Sequence, residues 1–356
     1  VPELVILAVN PGAGSTKLGL RRGGAVREDR LEHPDLLARP AGRVWDELTV
    51  RTGAVRAFLA REGVGAGALS AVVGRGGLLG PLPSGTYAVD EAMLRDLERA
   101  ERGEHASNLG APIALAVARE HGCPAFVVDP VSVDELDPVA RVAGLSGMER
   151  RSFTHALNLR AIARRFAAGA GRSLAALRLV ACHLGTGVSL AAFREGRMVD
   201  VVNPQDEGPF SGDRAGGLPV TAVVSMCFAP GAEERAVRRR LFGDGGLFSL
   251  LGTRDAREAL ARAEAGEARA GLVLDAMAYQ VGKAAGGLAA ALEGEVDAVL
   301  LTGGLAHLAP VVEAVRRRVG WIAPIHLFPG EDELRALAEG ALRVLRGEEV
   351  ARRYPG

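Results

Sequence analysis

The chain has 356 residues, too long for one small domain and in keeping with two at roughly 150 residues each. Its 43 basic and 43 acidic residues cancel to a formal net charge of zero, which removes the field that a bulk binder of nucleic acid or anionic membrane needs, and an aromatic content of 4% leaves few platforms for stacking bases. No apolar run nears the roughly 18 residues of a membrane span, Val1-Pro2-Glu3 opens without a basic region and apolar signal core, and Cys123, Cys182 and Cys227 offer neither a CxxC pair nor an even disulfide set, so the expectation is a cytoplasmic protein.

Arginine outnumbers lysine 41 to 2 and only four asparagines occur, so Asn10 and Lys17, eight residues apart end to end, mark the first segment. Leu4–Val9 is a short continuous apolar run, the pattern of a buried strand. Asn10-Pro11-Gly12-Ala13-Gly14-Ser15-Thr16-Lys17 follows, then Leu18-Gly19-Leu20 and a Gly23-Gly24 turn. A Rossmann or P-loop motif needs a helix after its glycines, but Gly19, Gly23 and Gly24 fall where that helix would run, and the Walker spacing GxxxxGK[ST] is absent. The segment therefore predicts strand, turn, strand, with backbone N–H groups at Gly12 and Gly14 open to an anion. Asn10, Ser15 and Lys17 add an amide, a hydroxyl and an ammonium suited to phosphate oxygens and a hydrated Mg²⁺; a turn-closing asparagine and a solvated lysine are the plain alternative.

Leu69–Val73 predicts a strand leading into Gly74-Arg75-Gly76-Gly77, where flanking glycines leave room for the planar fork of Arg75 to reach a carboxylate or phosphate. Ala125–Val128 predicts another, with Asp129 at its carboxyl end, where open α/β sheets place functional groups; Asp-Pro is equally a common turn opener. Shifting the sequence by 173 positions lays a second copy over the first hairpin without gaps. Leu179–Cys182 matches the first strand, Gly185-Thr186-Gly187 matches Gly12-Ala13-Gly14, Ser189 matches Thr16, and Gly196 with Val199 matches Gly23 with Val26. A third segment, Val296–Leu305, predicts a strand, then Gly303-Gly304, then a helix through about Arg318 whose N-terminus is placed for part of a nucleotide. Gly330-Glu331-Asp332-Glu333 opens a last helix whose stripe of Leu334, Leu337, Ala338, Ala341, Leu342 and Leu345 marks a half-buried face, and acidic residues in that first turn suit the helix dipole.

Duplicated glycine-turn hairpins with a late strand–Gly-Gly–helix resemble the acetate and sugar kinase, Hsp70 and actin superfamily. Within it, the runs Val72–Leu79, Gly103–Gly110, Val127–Val131 and Ala278-Tyr279-Gln280 look like butyrate kinases of the acetokinase family. The resemblance implies an α/β chain of two duplicated actin-like/ribonuclease H-like domains with an interdomain ATP cleft that closes on the nucleotide. Residues 1–150 with 331–356 would form the domain on the acyl substrate side, and 151–330 the domain on the nucleotide side. It implies ATP and Mg²⁺ as cofactors, a homo-oligomer, and phosphorylation of a short-chain carboxylate, butanoate first, to its acyl phosphate. Isobutyrate, propionate and acetate are close alternatives, since one methylene in an apolar pocket is worth only about 1–3 kcal/mol. An actin-like filament protein is the non-enzyme rival. A sugar kinase, which needs a base for a hydroxyl acceptor, is the enzymatic one.

The same resemblance implies roles for residues. Arg75 and Arg214, the latter in Ser211-Gly212-Asp213-Arg214, match the two active-site arginines, and Asp129 the aspartate that orients the carboxylate and touches the metal's water shell. His183 falls beside the transferred phosphate. His155 matches the second of two histidines that acetate kinases carry four residues apart; the first has no equivalent here, and His105 covers part of its role. Asn10, Gly12, Gly14, Ser15, Lys17, Gly185, Thr186, Gly187, Gly303 and Gly304 would hold ATP. Asp255 and Arg257 resemble nucleoside contacts, with Ala256 between them where acetate kinases carry a bulkier apolar residue. Phe153, Pro209 and Phe210 flank His155 and Arg214, as acyl pocket or as ordinary core. Either Asp332 or Glu333 matches a magnesium-linked glutamate.

Overall fold

The apolar run at the amino end becomes β1 (Val5–Pro11), which doubles back as β2 (Ser15–Arg22) and again as β3 (Ala25–Glu32). The computed structural model describes residues 3–37 and 42–356, so Val1 and Pro2 lie outside the described residues. Two compact units divide the chain: Val1–Asp134 with Asp332–Gly356, and Glu135–Glu331. Residues 135–150, expected with the first unit, are held in the second. Asp137 N–H donates to Val199 O at 2.9 Å, and Arg150 reaches Asp200 at 2.9 Å and Glu207 at 3.0 Å. Those partners lie 50 residues or more downstream, beyond the reach of local pattern.

In the first unit β4 (Ala71–Gly74), β5 (Thr86–Ala88) and β6 (Ala125–Val128) complete a six-stranded sheet in the order β3-β2-β1-β4-β6-β5. β1, β2 and β3 run antiparallel, β4 and β6 parallel to β1. Alternate residues sort to opposite faces. Leu7 and Val9 of β1 with Leu18 and Leu20 of β2 face a core shared with Val55 and Phe58 of helix Leu48–Arg61 and Ile113 and Val117 of helix Gly110–His121. The last helix, Glu333–Leu345, packs on β1, β2, β4 and β6 and buries Leu334, Leu337, Ala338 and Ala341. Two glycines permit this approach. A Cβ at Gly19 would stand 2.9 Å from Leu334 Cβ, and one at Gly340 2.5 Å from Val128 Cγ2.

The second unit repeats the plan. β7 (Leu179–Leu184), β8 (Val188–Arg194) and β9 (Arg197–Val202) form the hairpin pair, and β10 (Ala298–Gly303) and β11 (Ile325–Pro329) extend the sheet in the order β11-β10-β7-β8-β9. β10 is parallel to β7, as β4 is to β1. Val180, Cys182 and Leu184 face a core with helices Ala268–Ala291 and Ala309–Val319, and the intervening position 183 turns to the face on which helix Ala156–Gly169 packs. A further apolar cluster joins Phe210, Leu247, Leu251, Ala256 and Met277. Each unit is thus a ribonuclease H-like α/β layer, and the chain has the duplicated actin-like fold. No described helix is long and apolar enough to cross a membrane.

Candidate active site

The glycine turn of the first unit closes β1 onto β2, with Gly12 N–H donating to Ser15 O at 2.8 Å. Asn10, next to last in β1, pairs opposite Lys17, whose side chain is exposed, while Ser15 is buried. Asn10 Nδ2 donates to Glu333 Oε2, and Arg75 Nη1 makes an ion pair with Glu333 Oε1, so one carboxylate at the start of the last helix gathers both. Arg75 is 8% exposed and held by its own N–H to Val9 O at 2.8 Å. Its glycines do not keep the surroundings open, as the sequence suggested. A Cβ at Gly74 would lie 2.1 Å from Gly110 O, at Gly76 2.4 Å from Pro130 Cβ, and at Gly77 2.4 Å from Asn108 Oδ1. The glycines admit a helix start and a loop against the strand end, and that packing aims Arg75.

Asp129 follows β6, as expected, with φ of 38° and 1% exposure. Gly85 N–H donates to its Oδ1 at 2.8 Å, and its own N–H donates to Gly85 O at 3.0 Å. Asp332 precedes the last helix with φ of 43° and accepts from Ala336 N–H through its carbonyl at 2.9 Å. His105 is exposed and bonds locally: Ser107 N–H donates to its Nδ1 at 3.2 Å, and Ser107 Oγ lies 2.7 Å from the same atom.

In the second unit three of the expected residues converge on Gly185-Thr186-Gly187. His183, 1% exposed, is next to last in β7, and its ring stacks on His155 at 4.1 Å between centroids and 21° between planes. His155 Nδ1 lies 2.8 Å from Ser189 Oγ, and His183 Nε2 3.8 Å from Glu331 Oε1. A Cβ at Gly187 would stand 2.5 Å from Arg214 Nη1 and 3.1 Å from His155 Cε1; one at Gly185 would stand 2.7 Å from His183 Nε2. Both glycines are therefore places where site side chains crowd the backbone. Arg214 Nε is 4.0 Å from Asp213 Oδ1, and burial pushes the Asp213 carboxyl up against the pull of Arg214 and Arg254.

The remaining candidates lie as follows. Gly303 has φ of 93°, and its N–H donates to Gly330 O at 2.9 Å, so only Gly304 of the pair is exposed. A 3₁₀ turn, Gly304–His307, intervenes before the helix at Ala309, and the helix N-terminus expected directly after the glycines is displaced by that turn. Asp255 caps helix Ala256–Glu264 and pairs with Arg257 at 2.7 Å, which holds its carboxyl below the usual range. Ala256 is buried in the Phe210 cluster. Phe210 is core, Pro209 is buried and Phe153 is half-buried, its N–H donating to Asn203 Oδ1 at 2.8 Å.

Sequence reasoning passed over Arg51, His33, Asn158 and Glu331. Arg51 is fully buried behind the first turn, and Asn158, 1% exposed, lies beside His183. Asn158 carried a faint signal as one of four asparagines; an arginine among 41 carried none. Among the described residues no three His, Cys, Asp or Glu side chains cluster to hold a metal. Mg²⁺ asks for less, one or two carboxylates with water and substrate phosphates, and Glu333 at the start of the last helix is a hard oxygen donor of that kind.

Residues 146–321 match the Acetokinase family. The fold is shared with Porphyromonas gingivalis acetate kinase, at 19% identity over 96% of this chain and 100% of that one with a TM-score of 0.79. Entamoeba histolytica acetate kinase is similar at 15% identity over 96% and 100% with a TM-score of 0.77, and a propionate kinase from Francisella tularensis at 15% over 94% and 98% with a TM-score of 0.74. The matched stretch contains His155, His183 and Arg214.

Proposed function

We propose that the protein is an ATP-dependent carboxylate kinase that makes an acyl phosphate from a short-chain acid, butanoate before isobutyrate, propionate or acetate. The observation that carries this reading is the His155–His183 stack over Gly185-Thr186-Gly187 with Arg214 against the same turn, inside the stretch that matches the family. A carboxylate is a weak nucleophile and ATP a polyanion, so the protein must neutralise charge and hold the reacting oxygens in line; direct phosphoryl transfer needs positioning and electrostatics and little covalent work.

Each unit has chemistry for part of that task. In the second, Arg214 and the two imidazoles are donors for the equatorial oxygens of the transferring phosphoryl group. In the first, Arg75 takes the substrate carboxylate, exchanging its ion pair with Glu333 for it, and Asp129 orients that carboxylate. Asn10, Ser15 and Lys17 with the Gly12–Gly14 turn hold nucleotide phosphate, as do Thr186 and Gly304. Mg²⁺, when bound, supplies neutralisation of the phosphate charge, and Glu333 with Asp129 is the donor pair we assign to it in preference to Asp332. The preference for butanoate rests on the sequence resemblance alone. The three free cysteines suit the cytoplasm, and a homo-oligomer belongs to the same reading.

The test is acyl phosphate formation, trapped as the hydroxamate, with Mg²⁺–ATP and a panel of acetate, propionate, butanoate, isobutyrate, valerate and glucose. A kcat/KM peak at a four-carbon acid supports the proposal, and a peak at acetate or propionate keeps the reaction but removes butanoate. No hydroxamate from any acid overturns it.

A further inference from the structure

Three carbonyls of the first glycine turn, those of Ala13, Gly14 and Ser15, accept from Arg51 and His33. Arg51 Nη2 donates to Ala13 O at 3.1 Å and Nη1 to Ser15 O at 2.9 Å, while His33 N–H donates to Gly14 O at 2.8 Å. Arg51 Nη1 also donates to Thr16 Oγ1 at 3.1 Å, and that hydroxyl lies 2.9 Å from His33 Nε2. Arg51 is 0% exposed, and its Nε donates to Glu47 Oε2 at 2.8 Å. The guanidinium thus has a carboxylate for its charge and the turn for its remaining donors. Burying an arginine is costly, and a turn in a hairpin does not require one for its own sake.

A trans peptide is planar, so its N–H points opposite to its C=O. Pinning Ala13 O and Gly14 O towards Arg51 and His33 therefore aims the N–H groups of Gly14 and Ser15 the other way, out of the turn. An anion meeting them does not have to reorient the peptides, and that saving is the gain from preorganisation. The matching hydroxyl of the second unit, Ser189, bonds His155 instead, so this arrangement belongs to the first turn.

We propose that Arg51, with Thr16 and His33, is a positioning residue that presets the amides of Gly14 and Ser15 for a nucleotide phosphate. The identity of the anion rests on the carboxylate kinase reading. Arg51→Lys keeps the charge but loses the fork that spans Ala13 O and Ser15 O. In the full chain, calorimetric titration with MgADP should show binding weakened about tenfold or more, with the KM for the carboxylate within about twofold and the melting temperature within a few degrees of the parent protein. Thr16→Val, which removes one contact of the brace, should shift MgADP binding in the same direction by about two- to fivefold, and it decides the matter should Arg51→Lys not fold. Unchanged MgADP affinity in the folded variant, or a fall in MgADP affinity matched by the carboxylate KM and the melting temperature together, would overturn the proposal. The two ideas separate cleanly: a parent protein that binds MgADP, responds to Arg51→Lys and yet phosphorylates no acid retains the brace and loses the kinase reading. One that phosphorylates acids while Arg51→Lys binds MgADP normally does the reverse.

Discussion

Thr16 and Ser189 occupy matching places in the two hairpins, and each holds a histidine through its hydroxyl, at 2.9 and 2.8 Å. The consequences diverge. His33 is buried behind its turn, and burial, with Arg51 beside it, holds its proton affinity below the ordinary histidine value. The unfolded chain therefore binds that proton first as the pH falls, so the stabilisation is complete above the ordinary histidine range and is lost as the pH drops through the lowered value. Urea unfolding midpoints followed from about pH 8 down to about pH 5 should fall less steeply for His33→Gln than for the parent. An equal slope would show that His33 takes no part. Arg214, by contrast, meets the turn that the histidine stack overlies, and Arg214→Ala should lower kcat by about 10² to 10⁴ in the hydroxamate assay with the melting temperature little changed. Near-normal turnover would remove it from the phosphoryl site.

At the scale of elements, two glycines separate packing from chemistry. The end of β4 and the start of helix Gly110–His121 touch backbone to backbone, and a Cβ at Gly74 would meet Gly110 O at 2.1 Å. Neither partner can yield, so Gly74→Ala should destabilise the first unit by about 3 kcal/mol or more, read by denaturant unfolding. At Gly187 the obstructing atom is the end of a flexible arginine, Arg214 Nη1 at 2.5 Å. Gly187→Ala should therefore fold with stability within about 1 kcal/mol of the parent and lose activity, because Arg214 must move. The strand–turn–strand pattern of both hairpins was legible because it is local: a Gly-rich turn between short apolar runs, repeated at a spacing of 173 that β2 and β8 reproduce, starting at Ser15 and Val188. The helix after Gly304 was misread for a reason of the same kind. Periodicity marks the helix but not the 3₁₀ turn that delays its start.

On the scale of the whole molecule, the two units differ in how they are closed. The second is one continuous segment with its own sheet and cores, whereas the first is finished only when Asp332–Gly356 returns to it. Helix Glu333–Leu345 covers β1, β2, β4 and β6 and delivers Glu333 to Asn10 and Arg75. A chain ending at residue 331 should keep protected amides in β7, β8 and β10 by hydrogen exchange and lose protection in β1, β2 and β4, since one sheet face would be stripped. Equal protection in both units would show that the helix is dispensable.

By itself the sequence determined the duplicated hairpins, the strand ends at which Arg75 and Asp129 stand, and the apolar stripe of the last helix, since hydrophobic period and glycine placement act over a few residues, while the class of fold came from the family resemblance. Only the tertiary structure decided that residues 135–150 go with the second unit, that glycines around Arg75 serve close packing, that Gly303 spends its amide on Gly330, and that Arg51 is buried behind the first turn. Those outcomes depend on partners tens of residues away, and the cost of burying a polar group is decided by whether such a partner arrives.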